Sequence, residues 1–381
     1  MFKLVIASLL ILLIVADTYI YIRYIKRSGR WVRCLWWLPM ALVVAWLAYM
    51  AYPHVMGRVD SLAVIFFLCM VSAKVIFMLL SVIGSCIRPL RRLFVITGLT
   101  VSLLMVGMVI YACFVGTRRF VIKNVTVESA DLPQPFDGYK IVHFSDMHIG
   151  SWRSSPEAVD SIVALINRQD ADLVLFTGDL VNSTSSELEG FKTVLASVKG
   201  RDGVFSVLGN HDYCDYHHWP TEQQRLADVE SIKSFQKSIG WRLLNNESVI
   251  IRHGADSIAL IGVENWGEPP FPRYGDINRA SEGTDSIAYK ILMTHNPRHW
   301  LNSVKDNDRH DIDLTLSGHT HAMQLRIGGY SPASMRYPQW GGLYNVGPKA
   351  IHVNPGVGQI IPFRFGAWPE ITVIILKRKT V

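Results

Sequence analysis

Acidic residues are almost missing from the first third of this chain. Residues 1–119 hold two, Asp17 and Asp60, against 13 Lys and Arg, whereas residues 120–381 hold 29 acidic and 25 basic side chains. The overall net charge of +7 therefore belongs to the first third, and the remainder is mildly acidic. That split excludes reading the basic excess as the footprint of a nucleic-acid partner. Cysteine is also scarce. Of Cys34, Cys69, Cys86, Cys113 and Cys214, only the last lies beyond residue 119, and no CxxC spacing occurs. No disulfide can form among residues 120–381, and the five read as small buried hydrophobes. Internal repeats and low-complexity segments are absent.

Apolar residues make up 50% of the chain and the mean hydropathy is +0.22, too high for an ordinary soluble protein. The excess is concentrated in four stretches, Phe2–Ile25, Leu35–Tyr52, Ser61–Cys86 and Leu93–Gly116, each near the roughly 20 residues that cross a bilayer. A cleaved signal peptide fits the first poorly. Only Lys3 precedes it, no small-residue cleavage site follows, and the basic cluster lies after the apolar run. Lys26, Arg27, Arg30 and Arg33, with Arg23 at the margin, follow the first stretch, and Arg88, Arg91 and Arg92 follow the third. The intervening loop offers Arg58 alone. Positive-inside counting puts the two rich loops in the cytoplasm and residues 118–381 outside it, although Arg118, Arg119 and Lys123 pull the other way. Asp17 and Lys74 fall at matching depth in the first and third stretches and read as an intramembrane ion pair.

Past Arg118 the pattern changes to short apolar runs alternating with amphipathic segments. Val159, Ile162, Val163 and Ile166 follow helical spacing behind Ser155 as a cap and Pro156 as the first helical residue. Phe191, Val194, Leu195 and Val198 repeat the spacing up to Gly200. Ile258–Val263 and the tail Glu370–Leu376 read as strands. This alternation implies crossover units and a layered α/β domain. The expected division is a membrane region at 1–117 with about four helices and a catalytic domain at 118–381.

The chemistry is concentrated where apolar runs end. Ile141–Phe144, Leu173–Phe176, Val204–Leu208, Ile291–Met293 and Leu314–Leu316 have the length of buried parallel strands. Directly after them come Asp146-Met147-His148, Gly178-Asp179, Gly209-Asn210-His211-Asp212, His295 and Gly318-His319-Thr320-His321. Carboxyl ends of strands share one edge of an open α/β sheet, where ligands bind. Three carboxylates, an Asn and five His on one rim exceed what a single metal needs and point to a two-metal hydrolytic centre.

These five blocks resemble the calcineurin-like metallophosphoesterase superfamily, whose pattern DxH, GDxx, GNH[DE], a lone His and GHxH is present here in order. The segments Ile141–Gly150, Leu316–Leu325, Asn354–Gly358, Pro362–Phe365 and Pro369–Ile371 are similar to its membrane-associated bacterial branch of YkuE/YaeI-like phosphoesterases. The resemblance implies a four-layer α/β/β/α sandwich and two divalent ions, with Mn, Fe and Zn all compatible. It implies Asp146, His148 and His321 as ligands of one ion, and Asn210, His295 and His319 as ligands of the other, with Asp179 bridging. His211 is implied as the catalytic group facing the phosphate while a hydroxide shared by the ions attacks. One position departs: the second Asp of the commoner GDxxD, which orients that His, is Asn182 here, and Asp212 is the candidate to take over. Arg364, His217 and His218 are candidate substrate contacts, and His143 reads as structural.

The reading is a multi-pass protein of the cytoplasmic membrane with an outward-facing phosphoesterase domain. Its substrate is expected to carry a phosphate ester or pyrophosphate, with a membrane lipid as the candidate. A cytoplasm-facing nucleotide-sugar-lipid pyrophosphatase of the diacylglucosamine type is the alternative, and a transporter or sensor with a regulatory phosphoesterase-like domain is a remoter one. The bilayer is an expected partner; nucleic acid and an obligate protein partner are not.

Overall fold

The computed structural model describes residues 2–50, 58–153, 155–269, 271–307 and 311–379. The chain divides into two compact units, one of Met1–Gly116 with Ile361–Phe363, the other of Thr117–Ile360 and Arg364–Val381.

The first unit is helical: α1 (Phe2–Ile20, continued by a π-helical turn over Tyr21–Ile25), α2 (Arg30–Trp36), α3 (Leu38–Tyr49), α4 (Arg58–Cys86) and α5 (Arg91–Phe114). Four stretches, Ile6–Ile25, Arg30–Tyr49, Val59–Cys86 and Arg88–Arg118, are long and apolar enough to cross a membrane. The second is broken at Trp37, next to Pro39, whose missing N–H disfavours an unbroken helix. The loop at 51–57 and the Arg58 side chain, used above to judge orientation, lie outside the described residues. Asp17 is fully buried and accepts from Lys74 Nζ at 2.5 Å. The same ammonium stands 4.6 Å from the Trp36 ring centroid, so three helices share one charge.

The second unit is built on twelve strands: β1 Val121–Ser129, β2 Lys140–Phe144, β3 Leu173–Phe176, β4 Val204–Ser206, β5 Arg242–Leu243, β6 Glu247–His253, β7 Asp256–Gly262, β8 Tyr289–Met293, β9 Leu314–Ser317, β10 Gly342–Val346, β11 Lys349–Val353 and β12 Glu370–Arg378. They form two six-stranded sheets, ordered β1-β12-β2-β3-β4-β5 and β10-β11-β9-β8-β7-β6. The strand runs alternate strictly between two cores. Ile141, Leu173 and Leu175 face the second sheet, where Leu260, Ile291, Met293, Leu314 and Leu316 meet them. Val142, Phe144, Val174 and Phe176 point the other way, onto Val159, Ile162 and Ile166 of α6 (Glu157–Asn167). Leu292, Ile351 and Val353 pack outward against Trp300 and Val304. Long apolar runs are thus favoured because both faces are covered, with His143, Lys290, Thr315 and Ser317 as buried polar exceptions, and each fully buried Val, Leu, Ile or Phe contributes about 1.5–3 kcal/mol. The layers are α/β/β/α.

Some details differ from the sequence reading. The tail strand extends to Arg378 and pairs parallel with β1 but antiparallel with β2. The run at 204–208 keeps only three residues in the sheet. Helix α6 has no side-chain cap; the Ser155 hydroxyl is bonded by Arg118 Nη2 instead. The helix after Phe191 is the single turn Lys192–Ala196 and stops short of Gly200.

Candidate metal centre

Five loops leave the adjacent ends of β2, β3, β4, β8 and β9, and backbone bonds knit them together. Asp146 N donates to the Gly178 carbonyl at 2.8 Å, His148 N to Asp179 at 3.1 Å and Gly318 N to His295 at 3.0 Å. Turning side chains onto one point demands unusual backbone. Asp146, His148, Asp179, His319 and His321 all have positive φ, between 44° and 72°, at about 1–2 kcal/mol each for a residue with a Cβ. The motif glycines are steric necessities. A Cβ on Gly209 would collide with the Asp179 carboxylate, and one on Gly318 with Asp146 and Ser145.

The side chains converge as two adjoining groups. In the first, His148 Nε2 and His321 Nε2 are 3.0 Å apart, His321 Nε2 lies 3.3 Å from Asp146 Oδ1, and His148 Nε2 lies 3.6 Å from Asp179 Oδ2. In the second, His295 Nε2 is 3.1 Å from Asp179 Oδ2, 3.1 Å from Asn210 Oδ1 and 3.2 Å from His319 Nδ1. Asp179 Oδ2 belongs to both groups. All seven side chains singled out as ligands meet here.

The surroundings prepare these atoms as donors. His295 gives its Nδ1–H to the Thr177 carbonyl at 2.7 Å, which fixes the ring with Nε2 toward Asp179. His319 Nε2 sits 3.0 Å from Tyr337 OH, which donates on to Glu268 Oε2 at 3.4 Å. Glu268 is in turn held by Arg298 and Arg336, both at 2.8 Å. Burial, then neighbouring His rings, push His148 and His319 down to about 3, so these imidazoles keep their lone pairs free at neutral pH. Burial costs His295 its charge, but Asp179 more than reverses this and holds it up at about 9. Buried oxygen and imidazole donors facing one small space fit two divalent cations.

His211 stands at the edge of this space, half-buried. Its Nδ1–H donates to the Asn182 backbone carbonyl at 2.6 Å, its own N–H to Asp179 Oδ1 at 2.8 Å, and its ring is edge-on to His148. The ring also lies within ligand reach of His148 and Asp179, so position alone does not separate ligand from catalytic group.

Four expectations need revision. Asp212 does not orient His211: its buried carboxylate accepts from the backbone N–H of Asp179, Leu180, Val181 and Gly209, at 2.8–3.2 Å, and staples two motif loops together. Asn182 acts through its main chain; its side chain donates to Ser151 Oγ at 3.0 Å. Arg364 is neither a surface group nor free to bind phosphate. It is fully buried, donates to the carbonyls of Pro355, Gly358 and Ala367, and reaches His321 Nδ1 at 3.2 Å. His217 and His218 are exposed. His217 lines a cavity of about 390 Å³ with Trp219, Gln224 and Asp228, and no candidate ligand lines it. The side chain against His211 is Tyr216, stacked at 4.1 Å, whose OH accepts from Asn210 Nδ2 at 2.9 Å and so aims Oδ1 of that amide inward. His143 is buried between His352 and Thr177, at 3.2 and 2.9 Å, as a structural residue.

Two expected results follow from these contacts. Arg364→Met should lower stability by at least about 3 kcal/mol, because several buried carbonyls lose a charged donor; a melting temperature unchanged from the parent would contradict that role. Tyr337→Phe should weaken the ion held by His319 by about 10–100-fold and spare the other. Competition with a chelator, read as two separate affinities, checks the selectivity.

Two sheets presenting this His/Asp cluster from their strand ends define a metallophosphoesterase-type α/β domain. Residues 139–323 match the family model described as calcineurin-like phosphoesterase. The chain is 29% identical over 278 residues to the uncharacterized metallophosphoesterase YkuE of Bacillus subtilis (strain 168), covering 70% of this chain and 89% of that one. It is 31% identical over 263 residues to the transmembrane protein with metallophosphoesterase domain of Danio rerio, covering 67% of this chain and 57% of that one. With an uncharacterized metallophosphoesterase of Helicobacter pylori (strain J99) it shares 34% over 243 residues, 63% of this chain and 60% of that one. The chain thus spans less than two thirds of the length of the last two. Residues 139–323 carry a calcineurin-like phosphoesterase domain, similar to YkuE, in a chain that also has four helices long and apolar enough to cross a membrane.

Proposed function

We propose that this chain is a membrane-tethered dinuclear phosphoesterase acting on a phosphate or pyrophosphate carried by a membrane lipid. The observation behind it is the position of Asp179 Oδ2, 3.6 Å from His148 Nε2 and 3.1 Å from His295 Nε2. Asp146, His148 and His321 would hold one ion and Asn210, His295 and His319 the other, with Asp179 shared. Ions bound there supply Lewis acidity and a hydroxide nucleophile near neutral pH. His211 does the proton work. With Nδ1–H fixed on the Asn182 carbonyl, its Nε2 is the ring atom left to pass a proton to a phosphoryl or leaving oxygen.

The lipid assignment rests on four apolar helices in the same chain; a substrate confined to the bilayer is within permanent reach. The test is hydrolysis by the full chain in lipid nanodiscs, with Mn²⁺ or Zn²⁺ added. A lipid phosphoester should give a higher kcat/KM than its water-soluble headgroup counterpart, and equal values would remove the lipid from the proposal.

The domain is assigned to the extracytoplasmic side by the basic loops after Ile25 and Cys86. Alkaline phosphatase fused after Val381 should be active, and a fluorescent protein there dark if export unfolds it. The reverse pattern would favour the cytoplasm-facing pyrophosphatase, the reading to which Arg118, Arg119 and Lys123 lean.

A further inference from the structure

The loop after the last pair of candidate ligands exposes four large apolar side chains within thirteen residues. Met323, Ile327, Tyr330 and Met335 are 37, 59, 56 and 83% exposed. Ile327 and Tyr330 exchange backbone hydrogen bonds at 2.9 and 3.0 Å across Gly328 and Gly329, both with positive φ. This is the geometry of a tight primed turn, which only residues such as glycine adopt readily. The tip is therefore a stiff hairpin presenting an isoleucine and a tyrosine to its surroundings. Both ends of the loop are tied to the site, through His321 at its start and the Tyr337–His319 contact at its close.

The segment that carries the hairpin is one-sided in charge, and its Arg336 is met by Glu268 from another loop. Residues 314–369 contain no Asp or Glu. Arg326 stacks over Trp340 at 5.6 Å and Arg119 over Trp368 at 4.8 Å. Between these stacks lies a cavity of about 260 Å³ lined by Lys123, Arg326, Trp340, Trp368 and Glu370. Glu370 is only 8% exposed and accepts from Thr372 Oγ1, so the cationic rim dominates the opening. Apolar tip, neighbouring tryptophans and cations stacked on them, with the lining acid Glu370 sunk below the rim, form a composition that settles at a headgroup boundary.

We infer that Met323, Ile327, Tyr330 and Met335, with Arg326 and Trp340 beside them, form a docking surface for an anionic bilayer interface. The partner is a lipid surface because charge complementarity selects one, and because the chain's own apolar helices keep a bilayer covalently near. The hairpin enters the headgroup layer while the arginines meet its phosphates, and the loop that supplies His319 and His321 is carried with it.

The test is amide hydrogen exchange on the full chain in nanodiscs of phosphatidylcholine alone or mixed with phosphatidylglycerol. Exchange over residues 325–336 should slow on the order of fivefold or more in the anionic discs, the scale of one cation at a charged surface. The double variant Ile327→Glu, Met335→Glu should lose that protection while keeping its ion content and its turnover of a soluble generic phosphodiester. Equal exchange in both disc types, or protection that survives the double variant, would overturn the proposal. Protection accompanied by a shift to dimer in light scattering, abolished by the same variant, would make the face a self-association surface and overturn it too. The readout is independent of substrate, so this inference and the proposed lipid chemistry can fail separately.

Discussion

Asp179→Asn is expected to empty both ion positions at once. Its Oδ2 is the single atom common to the two groups of donors, and Oδ1 is already engaged by the His211 backbone N–H at 2.8 Å. An amide oxygen there carries no charge and cannot neutralise two cations, so loss at one position weakens the other. Elemental analysis of the purified full chain should fall from near two ions to below one. Turnover should drop by about 10³-fold or more, matching the several kcal/mol that such ions supply to the transition state. The loop's main chain is held through Asp212 and not through the Asp179 side chain, so the fold should survive, with a far-ultraviolet spectrum like the parent's. A full complement of ions in the variant would rule out the bridging role.

The second large effect separates binding from chemistry. His211→Ala should retain both ions and lose about 10²–10⁴-fold in kcat, the scale of a removed acid or oxyanion donor. KM should change little, because the proposed bond strengthens only as charge develops. The ring touches His148 and Asp179 closely enough to ligate, which makes ion content the deciding measurement: ions lost together with activity would make His211 a ligand. Asn182→Ala is the control. The acceptor for His211 is the Asn182 carbonyl, which the substitution leaves in place, so turnover should stay within about threefold, well under the loss of a catalytic group.

The strands and the site motifs were legible in the sequence for one physical reason. Strands covered on both faces are mostly apolar along their length, so Leu173–Phe176 stands out, and the polar cluster that follows falls at the strand's end. What escaped was whatever depends on contact between distant segments. Tyr337 and Glu268 support His319 from loops with no motif of their own, and Tyr216, six residues past Asn210, lies just beyond the Gly209–Asp212 block, where no pattern marks it. Asp212 misled because it adjoins His211 in sequence, yet successive side chains on that turn point apart, and its carboxylate serves four amides. Arg364 misled because a charged residue is expected at the surface; only the three-dimensional fold shows carbonyls enough to bury it. The hairpin of β10 and β11 carries too little alternation to be recognised, with Tyr344, Asn345 and Val346 partly or fully exposed.

The position of β12 has a consequence for how the chain is made. It lies between β1 and β2, and Val121 is paired with Glu370. Until residues 370–378 leave the ribosome, β1 has no neighbour in its sheet, although it follows directly on the last apolar helix. Synthesis at about 5–20 residues per second leaves that strand unpaired for many seconds while the rest of the domain emerges. The first sheet therefore closes only once Glu370–Arg378 is made, by a pairing of high sequence separation that is slow to form. A chain cut short before Glu370 would leave β1 without its neighbour and β2 with an open edge, the kind of unpaired backbone that invites misassociation.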